Sequence, residues 1–196
     1  SATPYRGDDC EEVFTTFAGE VAVRAEGSAM PLNIFTINYR RKFWGRNKDP
    51  NKLPPAILNK ILALDDDRNE VIALAIRQMY RKGRNVLGGS TNIKQLCVIR
   101  EKLIKLGVPP AEVGIYAGSK IDHNGKEQDI SRSELSRVRT ECRIILGTYQ
   151  KVREAFDVPR LDACIDLIPI ADAVQFGGRT RRRLPNKLTP VYMTML

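Results

Sequence analysis

The chain has 196 residues, 42% of them hydrophobic, with 32 Lys and Arg against 23 Asp and Glu and a net charge of +9. That length predicts one domain, or one domain with an appendage, able to bury a core without disulfides or metal. The composition excludes wholesale disorder and no apolar run is long enough for a membrane span. The basic surplus favours a polyanionic partner, with nucleic acid ahead of an acidic membrane surface or a charge that serves solubility alone.

Residues 1–37 are mixed, with short apolar stretches at 13–17, 21–23 and 32–37. Residues 38–60 contain seven Lys or Arg and one acid, with Tyr39, Phe43 and Trp44 interleaved. Pro50, Pro54 and Pro55 argue against a long regular element there, so the stretch reads as a basic connecting segment. Its aromatics either stack on bases or tuck against a folded lobe, and the latter reading is preferred.

The acidic run Asp65-Asp66-Asp67 reads as a helix start. From Asp67 onward Val71, Ile72, Ala75, Ile76, Met79 and Tyr80 recur at helical spacing, and Gly83 supplies a stop. NVLGG is a strand candidate, followed by a helix from about Thr91 to Leu106 with Ile93, Leu96, Ile99 and Leu103 on one face. VGIYAG is a second buried strand, and residues 119–130 read as a polar loop. Ser131 with Glu134 forms a capping-box signature. RIILGT, ACIDLI and VYMTML are three more strand candidates, with a short helix expected near 171–181. Strands alternating with helices predict an α/β fold, a mostly parallel sheet with helices on both faces.

Cys10, Cys97, Cys142 and Cys164 are scattered with no C-x-x-C, and three of them lie in apolar stretches. They read as reduced core residues, which suits a reducing, cytoplasmic compartment. His123 stands alone in a polar segment, so neither His-based catalysis nor a metal site is expected.

Ligands of open α/β sheets collect beyond the carboxyl ends of the strands. The segments following NVL, IIL and ACIDLI therefore hold the chemistry, and QFGGRTRR at 175–182 is the strongest signal. Arg179 and Arg182 lie three apart, so on a helical turn both guanidiniums face one target, and guanidinium forks match phosphate oxygens. Upstream, GTYQKVREAFDVPRLD offers a strand end, a loop and a buried Asp candidate at 157. These segments, with SATPYR at the start and NVLGGSTNIKQL between, resemble four ordered motifs of superfamily-two DEAD/DEAH-like helicases and translocases. The likeness is to the phage- and restriction-type branch: motif III in SATPYR, IV in NVLGGSTNIKQL, V in GTYQKVREAFDVPRLD and VI in QFGGRTRR. It runs from residue 1 to about residue 192.

The resemblance implies a RecA-like C-terminal lobe at 67–196, a basic interlobe connection at 38–66, and the tail of a first lobe at 1–37. ATP with Mg²⁺ would be held mainly by that first lobe, since this chain has no G-x-x-x-x-G-K-[ST] and no DEAD-like tetrad. A start inside a motif implies a fragment of a longer protein. By the same resemblance Arg182 is an arginine finger, Arg179 shares the phosphate or bridges the lobes, Gln175 couples nucleotide to interface, and Asp157 lies near the ribose. Gly88, Gly89, Ser90 and Thr91, Gly118, Ser119 and Lys120, and Gly147 and Thr148 are candidates for strand phosphates, where small residues permit close backbone approach. Motif V departs from the family in Glu154-Ala155-Phe156-Asp157, where Glu-Gly is usual, and motif VI carries Phe176 where many relatives have Arg.

The implied partners are DNA, with RNA possible, and the N-terminal lobe of the same protein. The parent activity would be ATP hydrolysis coupled to movement on DNA, and this chain alone is expected to be inactive. Three alternatives stay open: a restriction-system motor subunit, an RNA helicase, and a helicase-derived binding module that does not hydrolyse ATP.

Overall fold

The structure is a computed structural model that describes residues 29–39, 53–121, 125–153, 156–170 and 173–195. SATPYR, Cys10, Phe43, Trp44, Pro50, His123, Glu154 and Ala155 lie outside the described residues. Among the described residues there are eight strands: β1 (Asn33–Ile37), β2 (Val86–Ser90), β3 (Val113–Tyr116), β4 (Ser119–Ile121), β5 (Glu127–Asp129), β6 (Ile144–Thr148), β7 (Ala163–Asp166) and β8 (Val191–Met195). Between them lie helices α1 (Pro55–Ala63), α2 (Asp66–Arg81), α3 (Ile93–Lys105), α4 (Arg132–Glu141), α5 (Tyr149–Arg153) and α6 (Ala173–Gly178).

Six strands form one sheet in the order β1-β8-β7-β2-β6-β3, and every pairing in it is parallel. β1, from the segment read as the tail of a preceding lobe, is hydrogen-bonded along β8 as this sheet's edge. β4 and β5 pair antiparallel as a separate ribbon in the stretch read as a loop. β5 is wholly exposed, so no apolar alternation marked it in the sequence.

Local chemistry sets the helix ends. Pro54 and Pro55, read as interruptions, instead start α1, because proline at the first helical positions loses no hydrogen bond. The Asp65, Asn92 and Ser131 side chains accept from the backbone N–H of Arg68, Gln95 and Glu134, capping α2, α3 and α4. Gly83 and Gly107 have φ of 82° and 88° and end α2 and α3 in the left-handed conformation that glycine adopts without strain.

The sheet is covered on both faces, and its strands divide their side chains with a period of two. Val86, Ile144, Leu146 and Ile165 pack with Ile72, Ile76 and Met79 of α2 and with Leu96, Ile99 and Leu103 of α3. Leu87, Ile145 and Cys164 face the other way, toward Val138 of α4, Tyr149 and Val152 of α5, and Phe176 of α6. Leu96, Ile99 and Leu103 are completely buried, each contributing about 1.5–3 kcal/mol relative to exposure. This packing aligns β2, β6 and β7 so that Gly89 lies between Gly147 and Asp166, and the carboxyl ends of the three strands open on one edge.

Candidate functional site

Two cavities are lined by residues that the sequence motifs single out. The first measures about 340 Å³ and is lined by Phe156, Asp157, Gln175, Gly178, Arg179 and Arg182. It brings together every motif V and motif VI residue proposed for the nucleotide. Gln175 lies on α6; beyond Gly178 the chain continues in three-residue turns, with the N–H groups of Arg179, Thr180 and Arg181 donating to the carbonyls of Phe176, Gly177 and Gly178. The two arginines therefore converge by a tightened turn rather than on a regular helical face.

Arg179 donates to the carbonyls of Phe156 at 3.1 Å and Arg153 at 2.7 Å, so its guanidinium is aimed by the motif V loop. Arg182 pairs with the Asp157 carboxylate. Their side chains are 57% and 44% exposed, and an ion pair in water is worth at most about 1 kcal/mol. The pair can therefore open for a ligand. Asp157 is exposed, not buried as its sequence context suggested: Phe156 and Val158 take the inward positions on either side and turn its carboxyl outward. Each guanidinium carries five N–H donors and uses only some of them, so the donor set fits a polyphosphate.

The second cavity, about 370 Å³, is lined by Thr91, Ile93, Gly118, Thr148, Tyr149, Gln150 and Lys151. It joins candidates from three strand ends, and it adds Gln150 and Lys151, which the sequence reading did not single out. A Cβ on Gly118 would meet nothing within 4 Å, so its backbone is open to close approach.

The remaining candidates do not reach this cavity. Gly88, Gly89, Ser90 and Gly147 are buried. A Cβ on Gly89 would lie 2.6 Å from the Phe176 ring and closer still to Tyr149, and one on Gly147 would lie 2.5 Å from Val152. Close packing onto the sheet is what requires these glycines. Ser90 donates to Gln95 Oε1 at 2.6 Å, and its oxygen accepts from the Asn92 N–H at 2.9 Å, shaping the turn behind Thr91. Ser119 donates to Glu127 within the β4–β5 ribbon. Lys120 contacts both oxygens of Glu134 at 3.1 Å.

A polar cluster that the sequence motifs do not single out lies at the end of β7 and reaches the second cavity through Tyr149. Asp166, 3% exposed at the end of β7, accepts from the Tyr192 hydroxyl and lies 3.4 Å from the Tyr149 hydroxyl, which also donates to the Ile168 carbonyl at 2.8 Å. Burial pushes the Asp166 carboxyl up to about 6, opposed by hydrogen bonds from Tyr192, Tyr149 and Thr194 and by the charge of Arg68. Burial likewise pushes both tyrosine hydroxyls well above the ordinary range. Arg68 of α2 and Gln95 of α3 donate to the Leu167 carbonyl, Gln95 at 3.1 Å, while Tyr149 from the opposite face holds the Ile168 carbonyl. Among the described residues, no group of three or more His, Cys, Asp or Glu could hold a metal ion, and no helix is long and apolar enough to cross a membrane.

The architecture recurs in known structures. The chain aligns over 98% of its length with a fragment of a type I restriction enzyme HsdR subunit from Vibrio vulnificus, at TM-score 0.68 and 17% identity. This chain has the fold of a helicase C-terminal RecA-like lobe. The lobe aligns over 84% of its length with UvsW of T4, at TM-score 0.58 and 17% identity. It aligns over 65% with the helicase MrfA bound to DNA and AMPPNP, at TM-score 0.51 and 13% identity. In sequence, the lobe is 28% identical over 137 residues to a protein of Acanthamoeba polyphaga mimivirus named for ATP-dependent RNA helicase activity. No family model matches the sequence. The helicase-type lobe spans 24% of the mimiviral protein and 38%, 32% and 18% of the HsdR, UvsW and MrfA chains.

Proposed function

We propose that this chain is the C-terminal lobe of an ATP-dependent nucleic-acid helicase or translocase, with one cavity turned to nucleotide and the other to a nucleic-acid strand. The observation that carries this reading is the convergence of Asp157, Gln175, Arg179 and Arg182 on a single cavity. Residues from the end of motif V and from motif VI meet there although a complete strand separates them in the chain.

ATP with Mg²⁺ would supply the phosphoryl group that is transferred to water. The chain's own residues bind and orient. Arg179 is set by the Phe156 and Arg153 carbonyls, and Arg182 exchanges the Asp157 carboxylate for a phosphate oxygen, placing positive charge where negative charge builds. Arginine fingers of this kind are worth roughly 10³–10⁵ in rate. The Asp157 carboxyl, released from Arg182, faces the cleft and accepts from a ribose hydroxyl. Thr148, Thr91 and the Gly118 backbone contact phosphates at the second cavity, and Lys151 adds charge. Such contacts read no sequence, which suits a motor that slides.

DNA is the preferred strand, because the structural likeness includes a DNA-bound helicase; the mimiviral similarity makes RNA the comparison to run. The test uses the full-length protein that carries this lobe. Arg182→Ala is expected to reduce ATP turnover by about 10³ or more while nucleic-acid affinity changes little. Unchanged turnover removes the finger assignment. The isolated 196-residue chain is expected to bind single strands weakly and to turn over no ATP; robust Mg-ATP hydrolysis by it refutes the division of labour between lobes.

A further inference from the structure

The Asp166 cluster touches one cavity through Tyr149 and, through Phe176, the helix that carries Gln175 of the other. Tyr149 follows Thr148 directly and lines the nucleic-acid cavity, yet its ring packs edge-on against Phe176 with centroids 5.2 Å apart and planes at 87°. Phe176 follows Gln175 and lies on the helix that leads into Arg179. Tyr192 meets the same Phe176 ring at 6.5 Å and 71°. Phe176 thus lies between Tyr149, in the wall of one cavity, and Tyr192, and it is the chain neighbour of Gln175 in the wall of the other. Glycine at 89 lets these rings lie flat on the sheet, because a Cβ there would collide with both Tyr149 and Phe176.

Packed rings alone could slide. Asp166 pins them by accepting from Tyr192 on one oxygen while the other lies at the Tyr149 hydroxyl. A carboxylate this deeply buried is costly to keep, and an amide or an apolar residue would fill the volume more cheaply. Phe176 supplies an apolar ring that packs against both tyrosines.

We propose that Asp166 is a positioning residue that couples occupancy of the nucleic-acid cavity to the placement of Gln175 and Arg179, acting through Tyr149, Tyr192 and Phe176. This inference rests on the reading of the second cavity as a nucleic-acid site. When phosphates engage Thr148, Tyr149 moves with its neighbour; the ring presses on Phe176, and the tethered hydroxyls keep that displacement from dissipating in the core. The output is a shift in the turn that carries the arginines.

The experiment is site-resolved hydrogen exchange of the 196-residue chain with and without a single-stranded oligo(dT). In the parent sequence the oligonucleotide is expected to slow exchange at 148–153 and also to change exchange across 173–181. In Asp166→Asn the first response persists within about twofold while the second falls about fivefold, a size within the range by which residues along coupling networks act. Tyr192→Phe, which keeps the carboxylate and removes its donor, is the second variant should the first fold poorly, and the same loss at 173–181 is expected. Unaltered exchange in α3 serves as the control for folding. Equal responses at both segments in the parent and both variants overturn the role of Asp166, as does a parent response confined to 148–153. If oligo(dT) alters neither segment in the parent, the nucleic-acid reading of that cavity fails and the inference with it.

Discussion

Asp166 makes a quantitative statement about stability that needs no nucleic acid or nucleotide. Its carboxyl titrates near 6 in the fold against an ordinary value of 3.8. The raised value means that the folded state holds the proton more tightly than the unfolded chain. Stability from this group is therefore greatest below about pH 4 and is lost as pH rises through about 6. A gap of roughly two units corresponds to about 3 kcal/mol over the whole window, of which about 1.5 kcal/mol is recovered between pH 7.5 and pH 5. The perturbation is Asp166→Asn, which keeps the shape and removes the titration. The assay is urea unfolding of both proteins across pH 5–7.5, read as the difference between their free energies so that other carboxylates cancel. The parent is expected to gain about 1.5 kcal/mol on the variant over that range. Parallel curves would refute the premise that burial, rather than the tyrosine hydroxyls, dominates this carboxyl.

Gly89→Ala places a methyl group against Tyr149 and Phe176; it should cost about 1–3 kcal/mol in chemical unfolding and alter the near-ultraviolet signal of the rings. Ser131→Ala removes the cap at the Glu134 N–H and should cost about 1 kcal/mol by the same measurement, with no effect on nucleic-acid binding. Lys151→Ala should weaken oligo(dT) binding and flatten its dependence on salt by about one released counterion, read from affinities in a titration of salt concentration. A salt slope identical to that of the parent would take Lys151 out of the strand contact.

Much of the fold was legible because its signals are local. The caps at Asp65 and Ser131, the stop at Gly83, and the apolar runs that became β2, β3, β6, β7 and β8 all sit within a few residues of what they specify. The pairing of β1 with β8 did not, because register between the two ends of a chain is set by packing rather than by neighbours in sequence. Helix α5 is five residues long, too short to show a period. At the site, the meeting of Asp157, Gln175, Arg179 and Arg182 in one cavity follows the order of their motifs, whereas Asp157's outward orientation depends on which neighbours face the core. Gly89 illustrates a different limit. Small residues at a strand end suit both a ligand and a ring packed on the sheet, and only the positions of Tyr149 and Phe176 distinguish the two. The Asp166 cluster did leave a trace: an acid at the end of a buried apolar run must find partners, and Tyr149 and Tyr192 supply them.

The pairing of the first and last strands among the described residues also bears on mechanics. β1 and β8 run side by side in the same direction, matched from Asn33 opposite Val191 to Ile37 opposite Met195. Tension between the residue that begins β1 and the residue that ends β8 therefore pulls along the ladder from opposite ends. The inter-strand bonds are loaded together in shear, rather than peeled one after another as in a hairpin. A sheet joined in this way resists extension between Asn33 and Met195 and passes force on as rigid displacement.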